Sequence, residues 1–124
     1  MKRNMDLVRQ ILLATEKMPH GELLRQLPDV KQEDFVMHAV WLKEAGLIEA
    51  SAMMGSGSFA QFAAISRLTW AGTEFTDAMR DESLWLKAKE KVMKPGMSFT
   101  LDIVKDWLKA EITHGLPTLR RLTE

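Results

Sequence analysis

Apolar side chains recur at helical spacing through Met5, Val8, Ile11, Leu12 and Thr15, predicting a first helix over residues 4–17 with Asn4 as its N-cap. Pro19, Gly21 and Pro28 then break the pattern, leaving room only for a short turn or an extended piece around Leu23, Leu24 and Leu27. A second helix is expected over 32–45, where Phe35, Ala39 and Leu42 share one face. Gln32, Glu33 and Asp34 suit its positive dipole end, and Lys31 is a poor cap. Gly46 followed by Leu47 has the form of a C-terminal stop. Residues 47–53 and 61–68 then read as two strands around the Gly55-Ser56-Gly57-Ser58 turn, a β-hairpin. Thr69 caps a helix expected over 69–80, with Phe75 and Met79 inward. Asp81 or Ser83 starts another, carrying Leu84, Trp85, Ala88 and Val92 up to Lys94-Pro95-Gly96. The last helix, over 100–113, has Leu101, Val104, Trp107, Leu108 and Ile112 as its apolar stripe. The fold class is mostly α with a small antiparallel β-hairpin.

That order of helix, short connector, helix, glycine stop, hairpin and helix is the order of a winged helix. Val40-Trp41-Leu42-Lys43-Glu44-Ala45-Gly46-Leu47-Ile48-Glu49 resembles the join between recognition helix and first wing strand. Ile65-Ser66-Arg67-Leu68-Thr69-Trp70-Ala71-Gly72 resembles the join between second wing strand and next helix. More narrowly, residues 29–49 and 66–92 are similar to the small YjcQ-like winged-helix families of bacteria and their phages. The resemblance covers roughly 4–94. It implies a winged-helix domain over 1–94, with residues 95–124 as a C-terminal helix and tail packed on it. It also implies a role as a regulatory, DNA-binding module, and it carries over no catalytic residue.

Composition narrows the function classes. The 124 residues carry 17 basic and 17 acidic side chains, so the chain is no polycationic nucleic-acid binder. Charge is uneven: residues 32–82 hold three basic against eight acidic groups, and the flanking thirds are mildly basic. Cysteine is absent, which excludes disulfides, thiolate nucleophiles and cysteine-ligated zinc. No long apolar run and no signal-peptide pattern is present, so a cytoplasmic protein without membrane contact is the expectation.

A winged helix reads duplex DNA with its second helix and supports it with the wing, and phosphate contact needs Lys or Arg. Here the second helix is expected to expose Glu33, Asp34, Met37, His38, Trp41 and Glu44, and residues 55–59 of the wing hold no basic group. The candidates for DNA contact are therefore Arg67 on the wing, Lys2, Arg3 and Arg9 at the start, and Lys87 and Lys91 on the fourth helix. Lysines on that helix are more readily read as a solvated face. Met37 and Trp41, one turn apart and opposite Phe35, Ala39 and Leu42, are candidates for a protein interface. Covering of that second face by the last helix, through Trp107 and Leu108, is the alternative. Two partner classes follow: duplex DNA, or a protein surface, including a second copy of the chain.

Catalytic patterns fail on context. Gly55-x-Gly57-x-x-Ala60 matches a relaxed dinucleotide fingerprint, with Asp77 beyond it, but lacks the flanking strand, helix and parallel sheet. His20, His38 and His114 are scattered and read as surface or cap residues. Asp77 and Asp81 read as a solvent carboxylate and a helix cap. No metal, cofactor or enzymatic activity is expected.

Overall fold

The structure, a computed structural model, describes residues 2–53, 61–93 and 99–115. Among these are α1 (Met5–Lys17), α2 (Gln32–Glu44), β1 (Ile48–Met53), β2 (Phe62–Leu68), α3 (Trp70–Ala78), α4 (Glu82–Lys91) and α5 (Leu101–Gly115). This is a mostly helical α+β fold, consistent with a small winged helix. The contacts divide the chain into two compact units, 1–76 and 77–124. The division falls within α3, so α4, expected in the domain ending at 94, groups with α5. Residues 54–60, including the Gly/Ser turn, and the stop at 94–96 lie outside the described residues.

In the first unit α1 starts where Asn4 accepts a hydrogen bond from the Leu7 amide, the expected cap. Leu7, Val8, Ile11 and Leu12 are buried, and Thr15 is buried with them because its hydroxyl donates to the Ile11 carbonyl at 2.7 Å. The broken connector contributes one β-bridge: Leu24 exchanges both backbone hydrogen bonds with Ile65, each at 2.9 Å. Where the first helix of a helix-turn-helix pair would lie, the chain turns instead, with Asp29 at φ 59°.

Helix α2 begins at Lys31 without a side-chain cap, as its sequence foretold. It ends at Gly46, whose φ of +77° favours glycine, and the Leu47 amide bonds back to the Leu42 carbonyl. Strands β1 and β2 pair antiparallel from Ile48 opposite Leu68 to Met53 opposite Phe62, with an irregularity between Glu49 and Ala50 that leaves Ser66 extra. The core of this unit includes Ile11, Leu12, Phe35, Val36, Leu42 and Ile65, all fully buried.

The two sequence joins are fastened to each other. The Thr69 hydroxyl donates to the Gly46 carbonyl at 2.6 Å, and the Thr69 amide donates to the Leu47 carbonyl at 3.0 Å. The same hydroxyl accepts from the Gly72 amide at 3.0 Å, capping α3. Gly72 lies so close to Leu47 that an added Cβ would collide with the Leu47 carbonyl. A glycine stop, a threonine cap and a second glycine thus make one knot where α2 hands over to the wing and the wing to α3.

In the second unit Asp81 caps α4 by accepting from the Leu84 amide at 2.9 Å, and Leu84, Trp85 and Ala88 are buried. Helix α5 packs against α4, with Val104 and Leu108 fully buried. Leu101, Trp107 and Ile112, the rest of the expected stripe, are only half-buried.

Candidate functional site

In a winged helix the second helix and the hairpin form the working face. Here α2 is held to the start of α1 by a histidine. His38 is 2% exposed. Its Nδ1 donates to the Asp34 carbonyl at 2.7 Å, and its Nε2 accepts from the Asn4 amide at 2.8 Å. A carbonyl demands a donor and an amide demands an acceptor, so these partners select the neutral ring with the proton on Nδ1. Trp41 meets the imidazole edge-on, with centroids 5.1 Å apart. The expectation that His38 stands on the solvent face is therefore corrected. Polarity alone placed it outside; two opposed backbone partners let it sit inside. Its signal in the sequence is its position four residues before Leu42 and one before Ala39, beside the apolar stripe.

With His38 withdrawn, the exposed positions of α2 are Gln32, Glu33, Lys43 and Glu44, and Asp34 is half-buried. Met37 and Trp41 are half-buried one turn apart. Both lie beside an anchoring residue, so the sequence-predicted interface pair is part of the scaffold of α2 as well as of its surface.

On the wing, Arg67 and Glu49 are cross-strand neighbours. Arg67 grips the Glu49 carboxylate with both Nε at 3.1 Å and Nη2 at 2.7 Å, and Nη1 donates to the Leu68 carbonyl at 3.1 Å. Both side chains remain more than half exposed, so the pair is cheap to break and contributes little to stability. Its effect is on charge: the one basic wing candidate is neutralised in place. An open concavity beside it is lined by Glu16, His20, Ser66, Arg67 and Thr73, a mixed set with no excess of one sign.

The remaining DNA candidates are spread over both units. Lys2 and Arg3 are exposed ahead of α1, and Arg9 is half-buried on it. Lys87 and Lys91 are exposed one turn apart on α4, in the second unit. Asp81 caps α4 as expected, and the exposed Asp77 pairs with Arg80 at 2.7 Å. No group of acidic, histidine or cysteine side chains that could hold a metal ion occurs among the described residues. Nor is any described helix long and apolar enough to cross a membrane.

Sequence reasoning passed over the large apolar side chains that stand in solvent on the first unit. Trp70, the first residue of α3, is 80% exposed. Met53 and Phe62, paired across the strands, are 56% and 43% exposed. The period-two alternation of β1 carries that signal for Met53, which shares a face with exposed Glu49 and Ser51.

Comparison with known proteins adds family but no activity. Residues 2–98 match the model of a family described as hypothetical protein, DUF2513. An uncharacterized protein of Haemophilus influenzae is 36% identical over 123 residues, covering 94% of this chain and 99% of its own length. No solved structure matches.

Proposed function

For this chain, which belongs to the DUF2513 family, we propose a non-catalytic, regulatory binding module of bacterial or phage origin that is built as a winged helix and meets protein rather than duplex DNA. One observation carries the reading. On both elements that a winged helix lays against DNA, positive charge is missing or spent: α2 turns Glu33 and Glu44 outward beside a single Lys43, and Arg67 is closed onto Glu49. Phosphate would meet an acidic helix and an arginine whose charge is offset by its neighbour Glu49, against the electrostatics that drive DNA association. Exposed Trp70, Met53 and Phe62 suit a protein surface, where aromatic side chains supply much of the binding energy. Kinship with the YjcQ-like winged-helix proteins belongs to the same proposal and rests on the two joins that the fold ties together.

Fluorescence anisotropy with a labelled random duplex tests the choice of partner. At 50 mM salt and up to about 10 μM protein, anisotropy stays flat. Saturable binding that weakens steeply with salt would overturn the reading. Loss of that binding in K87E/K91E would then move the contact to α4.

A further inference from the structure

We infer that the free edge of β1 pairs with β1 of a second copy of this chain, antiparallel about a two-fold axis through Ser51. It goes beyond the proposed function and does not rest on what the α2 face binds.

The hairpin has two edges and they are treated differently. The outer edge of β2 is engaged by Leu24, whose amide and carbonyl both bond Ile65. Among the described residues β1 pairs with β2 alone. Its outward backbone groups can be assigned. Ile65 turns its amide and carbonyl away from β1 toward Leu24, so its cross-strand neighbour Ala50 turns its own away from β2. Alternation gives the same outward direction to Ala52, while the carbonyls of Leu47 and Glu49 point inward to Thr69 and Ser66. Among the described residues, Ala50 and Ala52 therefore have no backbone partner along this edge.

Natural edge strands are guarded by lysine, proline or an inward charge. In Ile-Glu-Ala-Ser-Ala-Met such protection is confined to Glu49 and the irregularity beside it, and from Ala50 to Ala52 the strand offers only small, uncharged side chains. The sequence is also self-complementary in one register. With Ser51 opposite Ser51 of the second copy, Ala50 and Ala52 exchange hydrogen bonds in both directions. Glu49 then falls opposite Met53 instead of opposite its own copy. On the exposed face the row becomes Phe62 and Met53 of one copy beside Glu49 and Arg67 of the other. Met53 and Phe62, the large exposed apolar side chains among the described residues of the wing, are thereby laid against the aliphatic stems of a neutralised ion pair. A register that set Glu49 against Glu49 would oppose like charges.

The full chain settles this in two measurements. Light scattering across protein concentration gives a dimer for the native chain. S51K sets two lysines face to face at the axis and weakens dimerisation about tenfold or more, with unchanged circular dichroism. Mixing S51K with S51E restores the dimer. Because the chain has no cysteine, S51C adds a single thiol, at a non-hydrogen-bonded pair where Cβ atoms approach closely. Mild oxidation then gives a covalent dimer in minutes, whereas S83C on α4 stays uncrosslinked. A native chain that is monomeric at every concentration, or S51C that crosslinks no faster than S83C, overturns the pairing.

Discussion

A single residue, Leu68, separates two kinds of polar contact along one stretch of chain. Thr69 sits half-buried in the knot, where its hydroxyl and amide hold Gly46 and Leu47 and its cap starts α3. Arg67, on the open face of the wing, holds Glu49 with two hydrogen bonds and stays more than half exposed. The contacts at Thr69 fix how α2, wing and α3 are joined, because one residue binds backbone groups at the end of α2, at the start of β1 and in the first turn of α3. The contact at Arg67 fixes nothing structural, because water can replace it at almost no cost. The residues of the two sequence joins are therefore the ones that build the fold, and they leave function to the exposed face.

The largest way to test that contrast is Gly72→Val. The side chain would be driven into the Leu47 carbonyl, backbone that cannot step aside, so stability should fall by more than about 3 kcal/mol or the chain should fail to fold. Chemical denaturation followed by circular dichroism reads it. Next is His38→Ala, which strands the Asn4 amide and opens a cavity against Trp41. A loss of about 2–4 kcal/mol is expected in the same assay. Thr69→Val keeps the shape but removes the cap and the bond to Gly46, and should cost about 1–2 kcal/mol. Arg67→Ala should change stability by less than about 0.5 kcal/mol. A loss at Arg67 as large as that at Thr69 would erase the contrast.

Much of this architecture was legible in the chain. Helical spacing, the Asn4 and Asp81 caps and the Gly46 stop predicted α1, α2 and α4 to within a few residues, because each signal is local. The hairpin was legible from the Gly/Ser stretch set between two strand-like runs, although Phe62, read with Ala64 and Ile65 as an apolar member of the second, stands exposed. What the chain concealed depends on partners distant in sequence. His38 was placed on the surface because nothing nearby announces that Asn4, 34 residues away, will present an amide to it. Arg67 read as a free cation because Glu49 reaches it only through strand register. The division at 76/77 was hidden because α3 is one continuous helix in sequence and structure alike, whereas the pairing of α4 with α5 is tertiary. Leu24 was expected as an extended piece, but its bridge to Ile65 is again a matter of register.

Backbone amide hydrogen exchange measured by nuclear magnetic resonance tests most directly whether the two joins form one knot. The Leu47, Thr69 and Gly72 amides should exchange as slowly as those of Leu24 and Ile65, opening only when the first unit unfolds as a whole. Fast exchange at Leu47, Thr69 and Gly72, while the amides within α1 and α2 remain protected, would show the wing detached from α2 and would contradict the account.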